Sequence, residues 1–282
     1  PADPGARVVG ARDLGRVDIV LPLLHGPYGE DGTIQGLLEM AEVRYVGCGV
    51  ASSAVSMDKH LTKVVLAGAG IDVGRWELIT PLQWEADQGA CLERAAALGF
   101  PVFVKPCRAG SSVGISKVES REGLAVAVKE AQNHDPRVIV EAGLVGREVE
   151  CGVLGGRSDW RSATAPLGEI EVPDGEFYDY EHKYVDDVVG LVCPAEVAPA
   201  YEERVRETAL RAFDALECEG LARVDFFLDE DSGTVLVNEV NTMPGFTPIS
   251  MFPQMWAAAG VDYPSLIDAL LEEAAARTVG LR

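Results

Sequence analysis

Basic side chains are scarce in this sequence: 24 lysines and arginines stand against 45 aspartates and glutamates, a formal charge of −21 over 282 residues. A polyphosphate backbone or an anionic lipid surface would repel such a chain, so neither nucleic acid nor a membrane is expected as a partner. No apolar run approaches the length of a membrane-spanning helix, and no basic-then-apolar leader opens the chain. The six cysteines (Cys48, Cys91, Cys107, Cys151, Cys193, Cys218) include no CxxC pair, and the four histidines form no HExxH-like pair. That excludes a zinc ribbon, a disulfide framework and a zinc-protease helix, and it points to a reduced, cytoplasmic setting. Internal repeats and low-complexity stretches are missing too. What is present is 48% hydrophobic residues, enough for a real core in two domains or three lobes. An anionic ligand would have to find its positive partners among a few identifiable lysines and arginines.

The near-continuous apolar run Val17–Leu24 reads as a buried strand of a parallel sheet. A polar, Gly-rich loop follows from His25 to Gly32, then a short helix from Thr33 to about Met40 and a further strand at Arg44–Val46. One such unit is less than a doubly wound sheet, so this lobe reads as partial and dinucleotide-like. A helix is predicted over Ser52–Ala67, stopped by Gly68, and another over Ala90–Leu98, stopped by Gly99. Strands at Val102–Lys105, Ile115–Val118 and Arg137–Glu141 surround a helix over Glu122–Asn133. Farther on come strands at Glu148–Leu154 and Ser162–Ile170 and an irregular aromatic stretch from Phe177 to Tyr184. A helix over Glu202–Leu216, a hairpin and a closing helix over Pro264–Ala276 complete the chain. The class is α/β with α+β elements, divided at 1–51, 52–140 and 141–282.

The sharpest chemical signal is the pair of alternating runs Arg223–Leu228 and Val235–Asn241 about a polar turn. A hairpin symmetric about Ser232 sets Asp225 opposite Glu239 and Arg223 opposite Asn241. Period two then collects these four on one face and leaves Val224, Phe226, Leu236, Asn238 and Val240 on the other. Three oxygen ligands on one face suit a hard cation such as Mg²⁺, and ligands two residues apart can hold two ions side by side. The plain alternative is a solvated face with ordinary charges, and the hairpin alone leaves the two even. Lys105–Gly114 is a second signal: a lysine ends an apolar strand, and glycines and serines after it free N–H groups and hydroxyls for phosphate. It is not a P-loop, and alone it reads as a turn. The Pro244-Gly245 turn can aim a backbone N–H at a developing oxyanion, or simply join strand to helix. Taken singly, Lys63 reads as a surface lysine, His25 as a loop histidine, and Lys183-Tyr184 as part of a packed surface loop.

In combination the pieces are specific. HGPYGEDGTIQG at His25–Gly36, KPCRAGSSVGISKV at Lys105–Val118, EFYDYEHKY at Glu176–Tyr184, RVDFFLD at Arg223–Asp229 and NEVNTMPGFTPISM at Asn238–Met251 occur in order. Together they resemble the D-alanine–D-alanine ligase family of ATP-grasp enzymes, its actinobacterial members above all, from about Asp18 to the C-terminus. The resemblance implies an ATP-grasp fold with a partial substrate lobe (1–51), a central subdomain (52–140) and a catalytic subdomain (141–282). It implies ATP and D-alanine as small-molecule substrates, two Mg²⁺ ions with Mn²⁺ as a substitute, and it leaves a homodimer open.

By the same resemblance, Lys63 and Lys105 hold ATP phosphates, the Ser111 loop closes over them, and Lys183 reaches the γ-phosphate. Glu141 and Glu148 serve the adenine and ribose end, while Asp225, Glu239 and Asn241 match the magnesium ligands. Arg223 and the Gly245 backbone stabilise the tetrahedral intermediate, and Ser250 with Met251 receives the second carboxylate. His25 falls near the first D-alanine, and the Tyr184 loop is a lid. That loop also weighs against an ester-forming D-alanine–D-lactate ligase; a nucleotide-binding module without catalysis is the alternative from another class. Cys107 stands where the family has a small residue, which predicts a thiol-reactive loop. The family's Gly-rich start, with a Ser and a Glu for the first D-alanine, has no counterpart after Pro1, so a segment upstream is expected.

Overall fold

Of the apolar run 17–24, only Ile19–Val20 forms a strand (β1), paired in parallel with β2 (Arg44–Tyr45). Pro22 lacks an N–H, and Leu23 and Leu24 are exposed, so the run leaves the sheet early. Helix α1 (Thr33–Met40) lies where expected. The computed structural model describes residues 15, 17–110, 113–155, 163–171 and 190–278.

The long helix expected over Ser52–Ala67 is broken. Helix α2 (Val50–Met57) stops at Asp58, whose extended backbone restarts the chain as α3 (Lys59–Gly68). The Asp58 carboxylate accepts from the N–H groups of His60 and Leu61, both at 3.1 Å. A side chain that satisfies the orphan donors of a new helix favours a boundary over continuation. These two helices pack on the large sheet described below, with Leu66 and Ile71 in its core.

Strand β3 (Trp76–Ile79) and helix α4 (Pro81–Ala86), which opens with a Thr80/Gln83 capping box, are among the elements the sequence pattern did not show. Helix α5 (Gln88–Ala96) and strands β4 (Val102–Pro106), β5 (Ser116–Val118) and β6 (Val138–Ala142) follow, with α6 (Arg121–Gln132) between β5 and β6. The four strands make an antiparallel sheet in the order β3-β6-β4-β5. One face of it packs on α5 and α6 through Val102, Val104, Val138, Val140, Leu124 and Val128. The sheet ends at Ala142, and the expected boundary at residue 140 lies inside β6.

The large sheet holds β7 (Arg147–Leu154), β8 (Ala163–Thr164), β9 (Gly168–Glu171), β10 (Gly190–Val192), β11 (Leu221–Asp229) and β12 (Thr234–Asn241). Its order is β10-β9-β7-β11-β12, with β8 paired to β7. The single strand expected over Ser162–Ile170 is thus two short ones. Helix α7 (Pro199–Ala215) covers one face, burying Val205, Ala209, Ala212 and Phe213 against Val224, Phe226 and Val237. Helices α8 (Met251–Ala258) and α9 (Tyr263–Ala276) pack a third cluster around Phe252, Trp256 and Leu266. The apolar, Pro-containing sequence of α8 has no polar side to give it a helical period, which is why it escaped the pattern. No helix among the described residues is long and apolar enough to cross a membrane.

Candidate active site

The hairpin β11–β12 has the expected register at its far end: Arg223 pairs with Asn241 and Asp225 with Glu239. A bulge then shifts the register between Asp225 and Phe226, so that Phe226 meets Val237 and not Asn238. An extra residue in one strand inverts the alternation beyond it. Val237 therefore takes the core position, fully buried, whereas Leu236 and Asn238, expected on the apolar face, are only half-buried.

On the face away from α7, the Arg223 guanidinium donates through Nε and Nη2 to the two oxygens of Asp225, both at 2.7 Å. Asn241 Nδ2 adds a 2.9 Å bond to Asp225 Oδ2. From the neighbouring strand β7, Glu150 stands directly opposite Asp225 and brings Oε2 within 3.3 Å of Arg223 Nε. Burial opposes the Arg223 charge, and Asp225 and Glu150 outweigh it, so the guanidinium is held well above its ordinary pKa. Among the described residues no three of His, Cys, Asp and Glu gather as a metal site by themselves. The cluster reaches three oxygen-bearing ligands only when Asn241 joins Asp225 and Glu239, a set that fits Mg²⁺ better than a softer ion.

The other half of the site comes from the four-stranded sheet. Glu141 on β6 bridges two ammonium groups, Lys63 of α3 at 2.7 Å and Lys105 of β4 at 2.6 Å. Burial would raise the Glu141 pKa, but Lys105 and Lys63 push it well below the usual carboxylate range. For Lys105, burial works against the charge, and Glu141, with Glu239 and Glu148 behind it, carries the pKa above the ordinary lysine value. Lys59 of the same helix as Lys63 stands 3.8 Å from Glu239, which brings the hairpin face to this group of lysines.

Lys63 is the more enclosed of the two, its side chain 2% exposed against 14% for Lys105. A cation of higher access lies four residues earlier: Lys59 Nζ donates to the Ala109 carbonyl at 2.8 Å and stands 3.8 Å from Glu239. Nothing in a helical i, i+4 pair of lysines announces which one turns to the cleft.

The loop after Lys105 is anchored from below. Arg108 forms a bidentate pair with the buried Asp135, 2.8 Å on each arm, and its own N–H donates to the same carboxylate. Arg137 pairs with Asp58, and Lys59 N–H donates to the Cys107 carbonyl at 3.0 Å. Cys107 itself is fully buried, and burial pushes its thiol up to about 12. The expectation of a thiol-reactive loop is corrected: a thiol without access or thiolate character is inert. All six cysteines are free.

Around the Pro244-Gly245 turn, His25 Nδ1 is 2.9 Å from the Met243 carbonyl. Glu30, which the sequence did not single out, accepts from Gly26 N–H at 2.5 Å and Met243 N–H at 3.3 Å. Its burial raises its pKa. The N-terminal loop thus holds both sides of Met243. Ser250 is the N-cap residue of α8, its Oγ accepting from Thr247 N–H at 3.1 Å. A Cβ on Gly245 would lie 2.9 Å from that Oγ, so a side chain there would displace the Ser250 hydroxyl. Met251 is 5% exposed and packs over Gly168, which leaves its backbone N–H, not its side chain, to meet a ligand. Glu148 is half-buried on β7, across from Phe227. Ser111, Lys183 and Tyr184, with the rest of the Glu176–Tyr184 loop, lie outside the described residues.

Known proteins resemble this chain in sequence and fold. The family model described as D-ala D-ala ligase C-terminus matches residues 65–272, and the one described as D-ala D-ala ligase N-terminus matches residues 3–48. A D-alanine–D-alanine ligase of Kineococcus radiotolerans is 55% identical over 283 residues, covering 99% of this chain and 75% of the relative. Among solved structures, the VanG D-Ala:D-Ser ligase of Enterococcus faecalis superposes with a TM-score of 0.83 at 39% identity, covering 92% of this chain and 73% of that one. A D-alanine–D-alanine ligase of Bacillus anthracis complexed with ATP gives 0.77 at 31% identity, covering 92% and 79%. With lysines of one sheet and of α3 beside the hairpin carboxylates of the other, and with relatives this similar over nearly its whole length, the chain belongs to the D-alanine–D-alanine ligase family and has its ATP-grasp fold.

Proposed function

We propose that this protein is a D-alanine–D-alanine ligase, which spends ATP to join two D-alanines into the dipeptide used for peptidoglycan precursors. The observation that carries the reading is that Lys105 and Glu141 of the four-stranded sheet, with Lys63 and Lys59 of α3, stand beside the hairpin face of Asp225, Glu239 and Asn241, Lys59 reaching within 3.8 Å of Glu239. In an otherwise acidic chain, these lysines are the local positive charge that a polyphosphate requires. In the first step the carboxylate of one D-alanine attacks the γ-phosphorus of ATP, the bond to the β-phosphate oxygen breaks, and ADP leaves. In the second, the neutral amine of the other D-alanine attacks the acyl carbon, and phosphate leaves from the tetrahedral intermediate.

Lys105 and Lys63, with Lys59 beside them, lie against the phosphates, and Lys183 reaches the γ-phosphate. Glu141 and Glu148 stand toward the adenine and ribose. Asp225, Glu239 and Asn241 hold magnesium, two ions with Mn²⁺ as a substitute, which when bound offsets the charge of the phosphates. Arg223 and the Gly245 N–H face the oxyanion of the second step. Ser250 and the Met251 N–H, at the start of α8, receive the second carboxylate, and His25 lies beside the first D-alanine. The Ser111 and Tyr184 loops close over the site and keep water from the acylphosphate. A cytoplasmic setting fits both substrates, and a homodimer is a matter for sedimentation.

The test is phosphate release by the full-length protein with ATP, Mg²⁺ and each of D-alanine, D-serine and D-lactate as second substrate. D-alanine-dependent release with matching dipeptide is expected. Because a D-Ala:D-Ser ligase shares this fold, preference for D-serine would change the substrate assignment, and no amino-acid-dependent release would overturn the ligase reading.

A further inference from the structure

Arg223 cannot serve two masters in its present position. Its guanidinium engages both oxygens of Asp225, and Asn241 holds one of those oxygens as well. If Asp225 turns an oxygen to a divalent cation, as the proposed function has it, the guanidinium is left beside an ion of like sign. It is also left in a poorly hydrated place, with 19% of its side chain exposed. A buried cation needs a counter-charge, and losing one partner is costly unless another is ready.

We propose that Glu150 is that second partner: a positioning residue that takes over Arg223 when Asp225 engages magnesium, and so keeps the guanidinium paired, aimed and clear of the ion. Glu150 is 3% exposed, which is rare for a carboxylate without a designated cation. It lies on β7, whereas Glu239 and Asn241 lie on β12, and β11 runs between these strands. A swing of Arg223 toward Glu150 is therefore a swing away from the metal ligands. The starting contact exists, with Glu150 Oε2 3.3 Å from Arg223 Nε. Rotation about the side chain alone completes the transfer, since Glu150 faces Asp225 directly across the strand pair. The inference rests on the reading of Asp225 as a magnesium ligand.

The experiment uses the full-length protein without D-alanine, so that a failed ligase assay and a failed inference remain distinguishable. Mn²⁺ binding in the presence of ADP is followed by electron paramagnetic resonance. The Arg223 Nε–H signal, assigned by its loss in Arg223→Lys, is followed by NMR with Mg²⁺ and ADP. In the wild type the signal is expected to shift on adding Mg²⁺ and ADP and to stay protected from solvent exchange. In Glu150→Gln, Mn²⁺ binding should weaken about tenfold, the equivalent of one charge-assisted hydrogen bond. At saturating Mg²⁺ and ADP the signal should also be lost to exchange. An Arg223 signal that ignores the metal in the wild type overturns the proposal, as does unchanged Mn²⁺ binding in the variant. Weakened binding with a wild-type signal at saturation overturns it too, because Glu150 would then contribute charge alone. Should Glu150→Gln fail to fold, Glu150→Asp, which keeps the charge but shortens the reach, gives the same two readouts.

Discussion

Replacing Glu141 by Gln should cost more stability than any other single change to a polar residue in the cleft. The substitution keeps the shape but removes the charge that Lys63 and Lys105 share at 2.7 and 2.6 Å. An amide has one oxygen to offer two ammonium groups, and its NH₂ faces whichever one it does not serve. Lys63 has no route to water at 2% exposure, so it becomes a buried cation without its partner. Breaking a buried pair in this way costs about 3–5 kcal/mol. At about 2–4 °C per kcal/mol for a protein of this size, even the lower figure lowers Tm by about 6–12 °C. Thermal unfolding of both proteins, followed by calorimetry from pH 5 to pH 10, provides the test. In the wild type, Glu141 has a depressed folded pKa, so its contribution is complete above the ordinary glutamate value of about 4.3 and fades only in acid. Lys105, raised in the fold, contributes below about 10.4 and fades in alkali above that. In the variant, Lys105 loses the anion that raises its pKa, while burial still works against its charge. The folded variant then binds fewer protons in alkali than the folded wild type, so the deficit should narrow as pH climbs toward 10. A Tm within about 2 °C of wild type at pH 7, or a deficit that does not change with pH, would refute the reasoning.

Four further outcomes are expected. Glu239→Gln should abolish turnover yet move Tm little, because its side chain is 32% exposed and sits outside the cores; kinetics and a melting curve together decide it. Lys105→Met should raise the KM for ATP or slow acylphosphate formation, by tenfold or more for a lost charge-assisted contact, and normal ATP kinetics would make it a surface charge. A disulfide reagent at pH 8 should modify Cys193, the one cysteine that is not buried, and spare Cys107 in the native protein; rapid labelling of Cys107 would contradict its burial. Tyr184→Phe should raise the KM for the second D-alanine or uncouple ATP hydrolysis from ligation by no more than about 1 kcal/mol, and unchanged coupling would leave that loop no lid role.

The sequence by itself determined what local patterns can carry. Alternation about the turn at Ser232 was enough to pair Arg223 with Asn241 and Asp225 with Glu239, because a short hairpin has few registers to choose from. Helical period marked α6 and α7, and the order of five motifs marked the family. Tertiary structure decided whatever depends on residues far apart in the chain. The bulge beside Glu239 arises from fitting β12 to β11 and the core below, so Leu236 and Asn238 changed roles without any local sign. Asp58 broke a helix whose apolar period ran straight through it, since a cap there is secured by Arg137, far along the chain just before β6. Glu141 lies at the end of an expected strand with no local sign of its partners until α3 brings Lys63 to it, and Glu150, which the sequence did not single out, meets Arg223 only because β7 lies against β11. Period and propensity describe what a segment can bury, but an ion pair needs two partners, and only the packed chain says which segments meet.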